Sequence, residues 1–114
     1  MKENIIKLKS FSFALSIIKL YKELQSEHEH IISKQLLRSG TSIGANVTES
    51  EAAQSRPDFI HKLSIAAKEA RETKYWLMLL HESELTTIAV DIYISDIESI
   101  IKILTSIIKT SQNS

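Results

Sequence analysis

Two pairs of acidic and histidine side chains have the spacing of metal ligands in helical proteins. Glu27 and His30 are three residues apart, and Asp58 and His61 repeat that interval. In di-iron four-helix bundles, two such pairs and two further glutamates project inward from mid-helix positions. Here both pairs lie at predicted helix starts, where acidic side chains cap free N–H groups. The sequence therefore predicts no metal centre and no cofactor. Because no serine or threonine is placed beside a histidine as in a catalytic triad, it also predicts no enzymatic site.

Both glycines of the chain, Gly40 and Gly44, lie in the polar segment RSGTSIGANVTESEA. A phosphate-binding loop needs a lysine after its last glycine, and a dinucleotide-binding fingerprint needs a third glycine. The segment has neither, so no small-molecule substrate is indicated. Small residues four apart do allow two helices to approach closely. We therefore interpret the glycines as packing positions.

A stripe of polar residues runs along the same segment, beside its apolar face. Its members fall within about 80° of one another on a helical wheel: Arg38, Ser42, Asn46 and Glu49. The next predicted helix adds Arg71 and Lys74 near its middle. Two interpretations are open. The stripe is either a network of hydrogen bonds and ion pairs between helices, which we favour, or a surface that recognises a partner.

Four helices would position these residues. Apolar side chains recur every three or four positions, as in amphipathic helices. The predicted helices span residues 10–25, 27–53, 56–81 and 87–110. Ser26 with Glu29 has the spacing of a capping box at the second start, and Ser55 before Pro57 suits the third.

The second predicted helix runs through the glycine segment because its apolar period continues across it. Leu36, Ile43 and Val47 stay on one face of a helical wheel, which a loop would not require. Four long helices with short connections predict an all-α, antiparallel, up-down-up-down four-helix bundle. No linker or repeat divides the chain, so residues 1–114 are predicted to form a single domain.

Composition limits the class of protein. The 114 residues include one proline and two glycines, too few for the frequent turns of a strand-rich fold. Fourteen basic and fourteen acidic residues cancel, which does not support a strongly basic nucleic-acid binder. No apolar run approaches the length of a membrane span. With no cysteine and no secretory signal, we expect a cytoplasmic protein.

Several apolar residues of the last two predicted helices fall outside the core stripes. They are Ile65, Trp76, Leu79, Ile92 and Ile103. Either a corner of the bundle covers them, or they form a contact between subunits. A coherent second stripe that contains the only tryptophan favours the subunit interface.

The stretches QLLRSGTSIGANVTES and DFIHKLSIAAKEARETKYWLMLLHES resemble a known family. It comprises small bacterial four-helix-bundle proteins first noted as products of intervening sequences in 23S ribosomal RNA genes. The resemblance implies an antiparallel bundle with the glycine segment inside its second helix. It also implies a homopentamer, a ring of bundles around a central channel. It assigns no catalytic role to the polar stripe.

A related branch of this family consists of accessory proteins of diversity-generating retroelements, which assist a reverse transcriptase and bind nucleic acid. Members of that branch are strongly basic, whereas this chain has no net charge. We therefore expect a non-enzymatic, homo-oligomeric assembly or adaptor protein whose first partner is itself. The alternative is an accessory protein that binds RNA or DNA, acting with RNA or a reverse transcriptase.

Overall fold

The computed structural model describes all 114 residues and contains four α-helices and no strands. The helices are α1 (Lys2–Ser26), α2 (Ile32–Ser50), α3 (Arg56–Ser83) and α4 (Asp91–Gln112). None of them combines the length and the apolar run needed to cross a bilayer. The all-α class predicted from the sequence is confirmed.

The helices form a bundle 46 Å long and about 20 Å across. Each helix packs against its neighbours in chain order, and α1 packs against α4 to close the bundle. The diagonal pairs, α1 with α3 and α2 with α4, have no Cα atoms within 8 Å of each other. The outer faces of α1 and α3 therefore lie at opposite corners of the molecule.

Nineteen buried apolar residues form one core along the bundle axis. Most are leucine and isoleucine, but α3 contributes the small residues Ala66, Ala67 and Ala70. On α2, Leu36, Ile43 and Val47 are all buried, as the continuous apolar period predicted. The glycine segment is therefore helical because its neighbours bury one face of it.

Helix α1 begins at Lys2, eight residues before the predicted start at residue 10. The added turns are helical because Ile6 is buried and continues the core stripe of Phe13 and Ile17. The Ile5 N–H donates to the Met1 carbonyl and closes the first turn. The predicted start was wrong because the charged residues among positions 1–9 hid this periodicity.

Helix α2 is shorter than the predicted span of 27–53, and the capping box at Ser26 was wrong. The Ser26 hydroxyl donates to the Glu23 carbonyl, so it belongs to the end of α1. Glu29 is the residue that caps α2. Its carboxylate accepts from the N–H groups of Ile31, Ile32 and Ser33 at 2.7–3.1 Å. The connection between the helices therefore occupies residues 27–31.

Helix α3 begins at Arg56, where the Ser55 hydroxyl accepts from the Asp58 N–H at 3.2 Å. It ends at Ser83, two residues beyond the predicted end, and Glu84 then adopts a left-handed conformation with φ of 58°. Helix α4 begins at Asp91 rather than 87 and ends at Gln112 rather than 110. Residues 84–90 instead form the connection at this end of the bundle.

Candidate interaction surface

The outer face of α1 carries a continuous stripe of exposed apolar side chains. Its members recur every three or four residues: Ile5, Leu8, Phe11, Leu15 and Ile18. Leu8 is 70% exposed and Phe11 is 66% exposed. The core residues of the same helix, Phe13 and Ile17 among them, lie on its other side. Helix α1 is therefore apolar on two faces, a pattern typical of a helix with neighbours on both sides. We call these five residues the α1 stripe.

An apolar groove of about 720 Å³ lies between the α1 stripe and α2. The α2 wall of the groove is made of small residues: Thr41, Gly44, Ala45 and Thr48. Gly44 brings the two backbones together, since a Cβ there would lie 3.3 Å from the carbonyl oxygen of Ser10. The small wall leaves the side chains of the α1 stripe uncovered on the α2 side.

Gly40 makes a second close approach, toward the core. A Cβ at this position would lie 2.9 Å from Cγ2 of Ile17 on α1. Both glycines therefore occupy positions where α2 meets α1, in agreement with their interpretation as packing positions. No phosphate-binding loop exists here, because both residues lie inside a helix.

The sequence prediction missed the α1 stripe. Leu8, Phe11, Leu15 and Ile18 follow the same three-and-four spacing as a core stripe. Because the helix was predicted to start at residue 10, Ile5 and Leu8 lay outside the predicted span. Extending the helical wheel to residue 2 is the signal that finds the second stripe.

Arg38, in the predicted polar stripe, forms ion pairs between α2 and α3. Its guanidinium pairs with the carboxylate of Glu72 and lies 3.3 Å from that of Glu69. The same Glu72 carboxylate accepts from the indole N–H of Trp76 at 3.0 Å. Glu72 therefore joins a residue of the predicted polar stripe to a residue of the predicted subunit interface.

A buried hydroxyl pair lies beside this network and was not singled out from the sequence. The hydroxyls of Ser39 on α2 and Thr73 on α3 are 2.8 Å apart, and both residues are fully buried. Thr73 also donates to the carbonyl of Glu69. Because buried polar groups need partners, this pair fixes the register of α2 against α3.

The other residues of the predicted polar stripe, and the two basic residues added from α3, take no part in the ion pairs of Arg38. The Ser42 hydroxyl and the Asn46 amide donate to carbonyls of their own helix, at 3.1 and 2.9 Å. Glu49 is exposed and lines the groove beside the α1 stripe. Lys74 pairs with Glu98 of α4 at 3.1 Å, and Arg71 is exposed on α3. The six residues therefore do not converge on one site.

The predicted subunit-interface residues fall on two sides of the bundle. Trp76 and Ile103 are half-buried and pack against the core. Trp76 donates to Glu72, which pairs with Arg38 of α2. Ile103 shares a face of α4 with Asp96, which lines a groove beside α1. Ile65 and Leu79 are half-buried on α3, and Ile92 is exposed at the start of α4. Their role as an interface stays a prediction.

The residues with metal-ligand spacing contact different parts of the chain. The Glu27 carboxylate accepts from the hydroxyls of Thr86 and Thr87, at 2.5 and 2.8 Å. These hydrogen bonds lower the pKa of Glu27 from its ordinary value of 4.5. His30 Nδ1 lies 2.5 Å from Oε1 of Gln25. Glu27 therefore ties the α1–α2 connection to the α3–α4 connection.

The chain resembles known proteins both in sequence and in fold. Residues 2–106 match the family model described as 23S rRNA-intervening sequence protein. The chain is similar to a crystal structure of a protein with unknown function from the S23 ribosomal protein family, from Bacteroides thetaiotaomicron VPI-5482. The two share 54% sequence identity and superpose with a TM-score of 0.89, covering 96% of this chain and 99% of the other. No curated protein matches the sequence.

Proposed function

We propose that this chain, which belongs to the 23S rRNA-intervening sequence protein family, is a cytoplasmic, non-enzymatic homo-oligomer that serves as an assembly or adaptor unit. The observation that carries this proposal is the exposed α1 stripe. The family resemblance described under the sequence analysis supports a homopentamer as the oligomeric state.

The size of the α1 stripe supports a stable contact between subunits. Its five side chains expose on the order of 500 Å² of apolar surface, within the range of the largest patches on ordinary monomers, which are often functional. An ordinary protein–protein interface buries about 800 Å² on each partner. The stripe with its flanking polar residues therefore has the area of one side of such an interface.

The exposed apolar face of α1 also supports a contact between subunits. A surface helix of a monomer normally turns one apolar face to the core and a polar face to water. Helix α1 turns Leu8, Phe11 and Leu15 to water along about two turns. Covering them with another subunit removes this apolar area from water, and each fully buried side chain contributes about 1.5–3 kcal/mol.

One substitution and a matched control test this proposal. Leu15→Glu places a charge in the middle of the α1 stripe, and we expect it to convert the oligomer to monomers because burying an unpaired carboxylate is costly. Ile31→Glu adds the same charge at a side chain that is 78% exposed and lies outside the stripe. The mass in solution, measured by light scattering after size exclusion, reports the result.

We expect Ile31→Glu to keep the mass of the unmodified chain. An unchanged mass for Leu15→Glu, with helical content intact by circular dichroism, would contradict the proposal. So would equal dissociation of both variants.

The second candidate function is that of an accessory protein that binds RNA or DNA. Helix α1 favours it locally, because it carries five lysines and two glutamates although the chain has no net charge. Binding through these lysines would weaken steeply as salt is raised. A structured RNA titrated at low and at high salt separates the two functions, and the absence of binding at low salt would remove this second candidate.

A further inference from the structure

An open groove of about 250 Å³ runs between α3 and α4, toward the end of the bundle where α4 ends. Its polar lining residues are Ser64, Arg71, Thr105, Lys109 and Gln112, and we call it the α3–α4 groove. None of its lining residues is acidic or aromatic, and none belongs to α1. The groove is therefore a surface separate from the α1 stripe.

Two contacts between side chains fix the register of α3 against α4. The ammonium of Lys74 lies 3.1 Å from the carboxylate of Glu98. One turn after the next on α3, His81 Nδ1 lies 3.5 Å from the carboxylate of Asp91. Seven residues forward along α3 therefore match seven residues back along α4, so positions on the two helices can be compared along the bundle axis.

Four basic side chains gather around the α3–α4 groove. Arg71 and Lys109 line it. Lys68 shares one face of α3 with Ser64 and Arg71, and Lys102 shares one face of α4 with Lys109. All four basic side chains are exposed, and none of them forms an ion pair in the chain. We call these four residues the groove cations.

No carboxylate near the groove is free to neutralise these cations. Residues 99–114 contain two lysines and neither aspartate nor glutamate. On α3, ion pairs turn Glu69 and Glu72 toward α2. The last carboxylate of α4, Glu98, pairs with Lys74. Positive charge is therefore concentrated at this groove, although the chain as a whole has no net charge.

The spacing of the groove cations fits the phosphates of one strand of a duplex. In the register set by the Lys74–Glu98 pair, Lys109 lies level with Leu63, and Arg71 lies eight residues further along α3. The groove cations therefore cover about 12 Å of the bundle axis. Because each strand of a DNA duplex carries one phosphate about every 3.4 Å, this length faces three or four phosphates.

The chemistry of the groove favours contact with a backbone over contact with bases. Proteins that bind single strands stack successive bases on aromatic side chains, and no aromatic side chain lines this groove. The hydroxyls of Ser64 and Thr105 and the amide of Gln112 are groups that donate to phosphate and sugar oxygens. The groove is therefore suited to a duplex backbone and not to a base sequence.

Helix α1 carries more lysines than the groove, but they do not form one surface. Lys2 and Lys7 already contact other side chains of the chain. Lys9 shares a groove with an aspartate of α4. Lys19 and Lys22 alone are exposed without an ion pair, and they are three residues apart like Lys68 and Arg71 of the groove.

We infer that the α3–α4 groove binds the phosphate backbone of a nucleic-acid duplex without reading its sequence. The inference rests on the second candidate function, for which it names the surface and the form of nucleic acid. Binding neutralises the groove cations and releases counterions from the duplex, so its affinity falls steeply as salt is raised.

Two groove variants and one matched control test this inference. The groove variants are Lys68→Gln/Arg71→Gln on α3 and Lys102→Gln/Lys109→Gln on α4, and the control is Lys19→Gln/Lys22→Gln on α1. The Kd for a labelled DNA duplex of mixed sequence is measured by fluorescence anisotropy over a range of salt. We expect each groove variant to bind roughly tenfold or more weakly at low salt, with a salt slope smaller by about two. The control is expected to keep the affinity of the unmodified chain.

The outcomes separate this inference from the candidate function on which it rests. If the groove variants bind the duplex like the unmodified chain, or if the control loses as much affinity as they do, the inference is wrong and the candidate function stands. No binding of the duplex by the unmodified chain at low salt would remove both. Tighter binding of a single strand, or of poly-glutamate as a model acidic peptide, would also overturn the inference. Circular dichroism and mass in solution confirm that the variants keep their fold and assembly.

Protection of lysines in the unmodified chain gives a second test that needs no substitution. The chain is acetylated with and without the duplex, and the modified lysines are quantified by mass spectrometry. We expect the duplex to protect Lys68, Lys102 and Lys109, and to leave Lys19 and Lys22 as reactive as in the free chain. Equal protection of both sets, or protection of the α1 lysines alone, would contradict the inference.

Discussion

At the scale of single residues, both glycines of α2 allow α1 to approach closely, and each faces a different residue of α1. Gly40 faces the branched side chain of Ile17, which is fully buried and has little room to move. Gly44 faces the carbonyl oxygen of Ser10 at a looser distance. Glycine costs roughly 1 kcal/mol against alanine inside a helix, so each position balances helix propensity against the close approach of α1.

This balance predicts different effects for two identical substitutions. Gly40→Ala gains helix propensity but crowds Ile17, and overpacking of a core costs about 1–3 kcal/mol. We expect a net loss of about 1 kcal/mol in the free energy of unfolding. Gly44→Ala is expected to stay within about 1 kcal/mol of the unmodified chain, because its gain offsets a milder contact. Urea unfolding at one fixed protein concentration compares the two. A larger loss for Gly44→Ala would contradict this description of the α1–α2 contact.

Arg38 provides the second prediction at this scale. Arg38→Ala leaves Glu69 and Glu72 without their shared cation, and we expect a loss of roughly 1 kcal/mol because both carboxylates are partly buried. The emission of Trp76 is expected to change as well, since its indole N–H donates to Glu72.

Arg71→Ala is the matched control, because Arg71 is an exposed arginine on α3 that forms no ion pair in the chain. We expect its stability to change by less than about 0.5 kcal/mol and its Trp76 emission to stay the same. If both variants behave alike, the network around Glu72 does not hold α2 to α3.

At the scale of helices and connections, the hydrogen bonds of Glu27 give a dependence on pH. The hydroxyls of Thr86 and Thr87 favour the charged carboxylate, so the pKa of Glu27 in the folded chain is below 4.5. A lowered pKa contributes stability above the ordinary pKa, and this contribution is lost as pH falls through the lowered pKa. The link between the two connections is therefore intact at neutral pH and weakens in acid.

Titration of the Glu27 carboxyl by NMR checks this prediction. In the unmodified chain we expect a pKa below 4.5, and in Thr86→Ala/Thr87→Ala we expect it to move back toward 4.5. A pKa that is the same in both proteins would mean that the hydroxyl contacts do not persist in solution.

The helices also show which parts of the structure could be predicted from sequence. The path of α2 through Gly40 and Gly44 was predictable, because burial repeats every three or four residues whatever lies on the other faces. The start of α2 was not, since Ser26 and Glu29 have capping-box spacing but only Glu29 caps. Capping depends on where the preceding helix stops, and the Ser26 hydroxyl is used by α1.

The candidate surface was harder to predict than the fold. A helical wheel finds apolar stripes, but it does not say which of two stripes faces the core. On α1 both stripes have the same spacing, and only the packing of α2 and α4 decides that Phe13 is buried and Phe11 is exposed. On α3 the same uncertainty left two interpretations open for Trp76, which is half-buried against the core and donates to Glu72.

At the scale of the whole molecule, one bundle leaves two groups of apolar side chains exposed to water. The α1 stripe lies on the outer face of α1, and a second group of exposed apolar side chains lies where α3 ends and α4 begins: Tyr75, Met78, Leu85 and Ile92. A single chain covers neither.

The mass of the unmodified chain in solution tests the proposal of an oligomer most directly. Sedimentation equilibrium at micromolar concentration is predicted to give five times the chain mass of 12.9 kDa. A mass of 12.9 kDa at that concentration would contradict the account, because the α1 stripe would then be exposed to water in the functional state.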